Sequence, residues 1–379
     1  MKKNFQKSFT LMSAILALAF YAVSCKANVD DVPQKTAGSI SYATATVSKT
    51  TDDDSFTNEL TKTGNGVVTY ASSNNDVAAV NETTGEVTIR SVGKTTITAT
   101  VADSANYTYA TKTASYTLTV ITIPEGFVKV TGTTITGIET WTPASNVFIS
   151  GKSLIIPDLY VSDHEVTRGE YIALIGSVPT LQASAYDKDG NQITGDAALN
   201  NPVSYVNWYN AIVYCNKLSI KEGLNPCYTI SDSKDPDTWG TVPTSTDATW
   251  NTATCDFDAN GYRLPTEAEW EWLARGGENY TYAGSDTVND VAWYSSSING
   301  KEGTRDVKTK APNAYRLYDM SGNVFEWCWD WSTLTSDKRV LRGGYYQSPD
   351  SYCRVFDKYD GSPGVRTRFY GFRVVRSAQ

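Results

Sequence analysis

Histidine is nearly missing: the 379 residues contain one, His164. A single imidazole cannot build a Cys/His zinc site or supply the two or more ligands of a non-heme iron centre. It also leaves one position for the base of a Ser-His-Asp hydrolase. No nucleophile partners it, so His164 beside Glu165 is not read as a general base. Basic blocks are absent too, and 41 acidic against 33 basic side chains give a net charge of -8, so nucleic acid finds no electrostatic foothold. Beyond the N-terminus no apolar run reaches the roughly 20 residues that a bilayer-spanning helix needs. Cysteine is sparse and, once Cys25 is set aside, odd in number: Cys215, Cys227, Cys255, Cys328 and Cys353. Outside the cytoplasm at least one of these thiols stays unpaired within the chain, and the spacing does not say which.

What is present begins with a targeting device. Lys2, Lys3 and Lys7 precede an apolar run from Phe9 to Val23, which is short for a membrane span. The run ends at Ala22-Val23-Ser24-Cys25, which resembles a lipoprotein signal-peptidase site. Residues 1–24 are then a signal peptide and Cys25 is the lipidated residue of an exported, membrane-anchored protein at the cell surface or outer membrane. Residues 25–38, with Asp30, Asp31, Pro33 and Gly38, form a polar tether.

From Ser39 the composition turns to alternating Thr, Val, Ser and Ala. Short strands are expected at 67–70, 86–89, 95–100 and 115–120, separated by turns at Asn74-Asn75, Thr84-Gly85 and Val92-Gly93. Residues 39–122 therefore read as a β-sandwich, and the runs 71–80, 84–87 and 93–97 resemble the bacterial Ig-like group 2 repeat. The segment carries no catalytic constellation and is expected to be a spacer.

A second domain, 123–379, starts after Ile123-Pro124-Glu125-Gly126, where Trp and Tyr become dense. Thr167 and Glu170 form a capping box for a helix running through Leu174 and closed by Gly176. Another helix opens near Asn207, with Trp208, Ala211, Ile212, Cys215 and Leu218 on one face, so Cys215 points inward. A third follows Pro265 with the capping box Thr266 to Glu269 and stops at Gly276-Gly277.

Four signatures fall in order: Glu165-Val166-Thr167, the run Gly261 to Glu271 (GYRLPTEAEWE), Leu317 to Trp331, and Arg342-Gly343-Gly344 with Gly371-Phe372-Arg373. Over about 125–377 the chain resembles the formylglycine-generating-enzyme (sulfatase-modifying factor) domain. The resemblance implies an α+β architecture overall: an Ig-like β-sandwich followed by a C-type-lectin-like domain with irregular structure around a small antiparallel sheet. In the enzymes two cysteines after Arg-Gly-Gly bind Cu(I), and oxygen converts a sulfatase cysteine to formylglycine. Here the first of those positions is Ser348 and only Cys353 keeps its sulfur. A hydroxyl is too hard and too weakly acidic to replace a thiolate on Cu(I), so copper and catalysis are not expected. The family's calcium loop is matched at Leu317 to Trp327. The resemblance implies a structural Ca2+ held by the carboxylates of Asp319 and Glu326 and the carbonyls of Gly322 and Val324.

The segment from Tyr345 to Tyr370 resembles the variable region of proteins diversified by retroelement-driven adenine mutagenesis. Its residue types are those reachable from asparagine codons, Glu, Met and Trp being absent, while Gln347 and Lys358 break the rule. Cys353-Arg354-Val355, Pro363 and Arg366 stand where such templates keep fixed residues. The alternative is an ordinary family loop. Either way the composition is that of a binding surface: Tyr346, Ser348, Tyr352, Phe356, Tyr359, Phe369 and Tyr370 interleaved with Asp357, Asp360, Arg366 and Arg368. The expected function is recognition of a protein or glycan outside the cell through residues 345–370. A formylglycine-generating oxidoreductase is the rival reading.

Overall fold

The computed structural model describes residues 34–136, 145, 147–148, 151–333 and 337–378. The signal peptide and Cys25 lie outside the described residues.

The N-terminal sandwich contains strands β1 (Thr36–Tyr42), β2 (Thr46–Thr50), β3 (Leu60–Thr63), β4 (Val68–Ser72), β5 (Ala78–Val80), β6 (Val87–Ile89), β7 (Gly93–Val101), β8 (Tyr107–Tyr109) and β9 (Thr113–Ile121). They form a three-stranded sheet, β3-β1-β8, a four-stranded sheet, β2-β9-β7-β4, and the hairpin β5-β6. The first strand starts at Thr36, three residues before the composition change. Alternation sets the core: in β7 Thr95, Ile97, Ala99 and Val101 are buried, and in β9 Tyr116, Leu118 and Val120, because every second side chain of a strand shares one face.

The second domain has two four-stranded sheets. Their strands are β10 (Phe127–Val130), β11 (Leu159–Ser162), β12 (Tyr262–Arg263), β13 (Phe325–Trp331), β14 (Arg339–Arg342), β15 (Tyr359–Gly361), β16 (Tyr370–Gly371) and β17 (Val375–Ser377). The first sheet runs β10-β11-β17-β12 and is antiparallel throughout. The second runs β15-β14-β13-β16, and β16 lies parallel to β13. That parallel pair departs from the expected all-antiparallel sheet, because the long excursion 362–369 lets the chain return in the same direction as β13.

Three helices close the core, each started by the cap its sequence contains. Helix α1 (Arg168–Ile175) has the Thr167/Glu170 capping box and ends on Gly176 in the left-handed region. Helix α2 (Trp208–Lys221) is capped by Asn207 with Asn210, and Trp208, Ala211, Ile212 and Cys215 are fully buried. Helix α3 (Glu267–Arg275) has the Thr266/Glu269 box and ends on Gly276. The face of α2 packs with Phe325, Trp327, Leu341 and Phe372 in the largest apolar cluster, so the second sheet rests on that helix.

Charged signature residues are used inside this domain as ion pairs. Arg263 makes a two-pronged contact with Glu269, at 2.6 and 2.8 Å. Glu271 binds Arg275 at 2.8 Å and Arg342 at 2.7 Å, tying α3 to β14 with all three side chains buried. Such pairs need both partners, since a lone buried charge is far more costly than the pair.

Candidate functional site: an aromatic face after Arg342

The second sheet supplies the floor. Phe325 and Trp327 alternate onto one side of β13 and are buried. At the end of β14 the chain turns through Gly343 and Gly344, with φ of +89° and +80°. At Gly344 a Cβ would stand 2.8 Å from the Cys353 sulfur and 2.9 Å from the Tyr352 carbonyl, so no side chain fits. This turn lays Tyr345 over Phe325, at a ring separation of 5.2 Å. Ser348 then holds the turn: its Oγ accepts from the Tyr345 amide at 2.9 Å and its own amide donates to the Tyr345 carbonyl at 2.8 Å.

Five rings follow as one layer. Tyr345 meets Phe369 at 4.4 Å, Tyr352 stacks on Tyr359 at 4.2 Å, and Tyr359 lies 5.1 Å from Phe325. Tyr370 sits edge-on to Trp327 at 4.9 Å. Tyr345, Tyr352, Tyr359, Phe369 and Tyr370 are all half-buried, each with one side on the floor and the other toward solvent. Burial raises the phenols of Tyr345, Tyr359 and Tyr370, so they stay protonated and remain hydrogen-bond donors at neutral pH. The rim is polar: Arg368 is exposed, Asp360 pairs with Lys338 at 3.1 Å and accepts from Ser332 at 3.0 Å, and Asp357 pairs with Arg354.

The backbone beneath these rings is fixed. The Trp208 amide donates to the Pro363 carbonyl at 3.1 Å, Tyr205 to Thr367 at 2.9 Å, and Phe325 to Phe369 at 2.7 Å.

Sequence reading and structure differ at several positions. Tyr346 and Ser348 were expected to contact ligand, but both are buried: Tyr346 packs with Ala183 and Ile298, and Ser348 serves the turn. Phe356 lies apart from the ring layer, packed on the cluster of Leu273, Val340 and Val355 with Arg354 over its ring. Tyr345, which the sequence reading left out, lies in the ring layer instead. The tandem Tyr345-Tyr346 gave no periodic signal, because two successive positive-φ glycines precede it.

The copper pair is not reproduced. Cys353 is buried among Tyr282, Val291, Ala292 and Tyr294, and burial raises its thiol pKa, while the Ser348 hydroxyl is engaged with backbone. These residues do not fit Cu(I), which needs two soft thiolates.

At the expected calcium positions Glu326 is already paired with a guanidinium. Both oxygens of Glu326 are occupied: Arg373 reaches them at 2.6–2.9 Å, and Trp270 Nε1 donates at 2.7 Å. The Val324 amide donates to Glu165 at 3.0 Å and the Gly322 amide to the Gly343 carbonyl at 2.7 Å, so neither contact uses the carbonyl expected to face an ion. Asp319 Oδ2 accepts from the Lys308 amide at 2.8 Å, while Oδ1 has no hydrogen-bond partner. Among the described residues no three His, Cys, Asp or Glu side chains are grouped to hold an ion. Burial, with Asp319 and Glu326 nearby, pushes Glu165 well above the usual carboxylate range, and burial pushes Asp319 up to about 6.

His164 is an ion-pair centre. Its Nδ1 meets Asp163 and its Nε2 lies 3.3 Å from Glu170. Burial alone would lower its pKa, but these carboxylates raise it to about 9, so it is an imidazolium at neutral pH and cannot act as a base.

Known proteins resemble both parts of the chain. Residues 57–103 match the immunoglobulin-like domain of intimin. The chain is 36% identical over 256 residues to the chaperone protein LppX of Paenibacillus barcinonensis, covering 60% of this chain and 83% of that one. It is 35% identical over 160 residues to the formylglycine-generating enzyme of Streptomyces coelicolor, covering 34% of this chain and about half, 51%, of the enzyme. Among solved structures, Treponema denticola variable protein 1 superposes with a TM-score of 0.57 and 33% identity, over 66% of this chain and 94% of that one. Residues 107–378 match the sulfatase-modifying factor enzyme 1-like domain, a match that begins within the last sandwich strands and runs through the whole aromatic face, and the chain belongs to that family.

Proposed function

We propose that this chain is an exported lipoprotein whose sulfatase-modifying-factor-like head binds a protein ligand through the ring layer of residues 345–370. The observation that carries the reading is the layer itself: five half-buried rings on a backbone held by hydrogen bonds at both ends. Tyrosine supplies contact area with little rotamer entropy to lose, and a rigid backbone lowers the cost of ordering on binding. Membrane anchoring through Cys25 would place the sandwich as a spacer beneath the head. Likeness to a protein named as variable supports the reading of 345–370 as the segment that changes between relatives. Likeness to a protein named as a chaperone favours a protein over a glycan as ligand.

Photo-crosslinking tests this. With a benzophenone amino acid at Tyr352, cells displaying the chain should yield a discrete covalent protein adduct. The same group at Tyr107, in the sandwich, should yield none. Equal adducts from both positions, or none from Tyr352, would refute the surface assignment.

The rival is oxidation of a sulfatase cysteine, suggested by the formylglycine-generating relatives. The thiol and hydroxyl at Cys353 and Ser348 argue against it through ligand chemistry.

A further inference from the structure

A two-stranded hairpin lies outside the ring layer: Tyr228–Thr229 pairs antiparallel with Thr254–Cys255, with Tyr228 opposite Cys255. The Asp256 amide continues the pairing to the Cys227 carbonyl at 2.9 Å. Cys227 and Cys255 are therefore diagonal neighbours. Strand spacing near 4.8 Å and a rise near 3.3 Å put such Cα atoms about 6 Å apart, inside the roughly 4.4–6.8 Å window of a disulfide; regular alternation would turn the two side chains to opposite faces, so their meeting depends on Cys227 lying just outside the paired residues Tyr228–Thr229. The two thiols share a hydrogen bond. Cys227 is buried, with Sγ 3.3 Å from the Gly261 carbonyl, whereas Cys255 is partly exposed.

We propose that Cys227 and Cys255 form an intrachain disulfide that staples the loop 228–254 beneath the recognition face. In the first step Cys255 loses its proton and attacks an organic disulfide RSSR, forming a mixed disulfide and releasing RS⁻. Cys227 then loses its proton and attacks the Cys255 sulfur, expelling the second RS⁻. Two protein thiols are oxidised by two electrons, one RSSR is reduced, and the two released thiolates take up the two protons.

The surroundings favour the second step, whereas the hydrogen bond to Cys227 and burial raise the Cys255 thiol and make the first attack the slower one. The hydrogen bond from Cys255 and the nearby buried Arg263 hold the Cys227 thiol below its ordinary pKa, which raises the thiolate fraction that resolves the mixed disulfide. Cys215 also lies close to Cys227, but it is fully buried on α2 and burial raises its pKa strongly.

The loop that would be closed supports the binding face. It carries Trp239 and Trp250, which pack edge-on at 5.8 Å, and Trp250 rests against Tyr209 at 5.4 Å. The Asn207 side-chain amide donates to Pro243 at 2.7 Å and to Gly364 at 3.0 Å, bridging the loop to the ring-bearing segment. The Ser245 backbone lies against Gly364, where a Cβ would stand 2.1 Å away. The consequence for recognition rests on the reading above; the bond itself does not.

The test uses the full chain, reduced, then incubated with oxidised glutathione, acid-quenched, denatured, alkylated and digested. Expected is a peptide pair joining Cys227 to Cys255, two hydrogens lighter than the reduced peptides together, with Cys215, Cys328 and Cys353 alkylated. Full alkylation of both Cys227 and Cys255, or a link from Cys227 to Cys215, overturns the proposal. In Cys255→Ser the cross-link must vanish, and limited proteolysis within 228–254 should be at least tenfold faster than in the oxidised parent. Equal rates would overturn the stapling role. A linked peptide with no photo-adduct from position 352 would leave the bond standing and reject the recognition reading alone.

Discussion

Replacing Arg373 with methionine probes the interior most sharply. The guanidinium is fully buried; it binds both Glu326 oxygens at 2.6–2.9 Å and donates to the carbonyls of Ser162 at 3.1 Å and Tyr318 at 2.8 Å. Arg373→Met leaves the Glu326 carboxylate with only Trp270 Nε1 at 2.7 Å. Removing one partner of a buried pair costs about 3–5 kcal/mol, a large share of the roughly 5–15 kcal/mol that holds a domain. All ten tryptophans lie at or beyond Trp141, so tryptophan fluorescence during urea unfolding reads the second domain without interference from the sandwich. In the variant Glu326 stays buried without its counter-charge. Adding Glu326→Gln removes the charge, keeps an acceptor for Trp270, and should recover most of the loss. A single variant within about 1 kcal/mol of wild type would refute the ion-pair account, as would a double variant no better than the single.

Gly344→Ala should destabilise the second domain by about 2 kcal/mol or more and loosen 345–353, because φ is +80° and the new methyl meets the Cys353 sulfur at 2.8 Å; amide exchange across the segment checks this. Millimolar Ca2+ or a chelator should leave the melting temperature unchanged, since Arg373 already neutralises Glu326; a fall of several degrees with chelator would contradict this. His164, with a folded pKa of about 9 against 6.5 ordinarily, contributes stability that is complete below pH 6.5 and lost as pH rises through 9. Asp163 and Glu170 are held below their ordinary values, so their share is lost as pH falls through the carboxylate range. In His164→Gln the alkaline loss, about 3 kcal/mol at 1.36 kcal/mol per pKa unit, should disappear from pH-dependent unfolding curves.

Much of the framework was legible because its signals are local. Thr167 with Glu170, Asn207, and Thr266 with Glu269 each sit within one turn of the helix they cap, and the alternation of β7 and β9 is complete within nine residues. The inward face of Cys215 followed from helical spacing alone. The pairing of Glu326 with Arg373 was not legible: the partners are 47 positions apart and both occur in signatures read as motif rather than as charge. The loop at Asp319 was expected to hold calcium because it resembles the family's calcium loop, and that resemblance gave no sign of the guanidinium that reaches Glu326. Within 345–370 the backbone follows no repeat, so which of Tyr345 and Tyr346 faces outward depends on Gly343 and Gly344 and on the turn that Ser348 ties. The contact between Cys227 and Cys255 depends on a ladder two residues long, below what a sequence pattern can register.

The claim that the face after Arg342 recognises rather than oxidises is tested most directly by loading the full chain with Cu(I) under a copper-competing chelator and supplying oxygen and a Cys-X-Pro-X-Arg peptide. The chain should cede copper to the chelator and leave the peptide's thiol intact. Retention of the metal by Cys353, with aldehyde appearing in the peptide, would contradict the account.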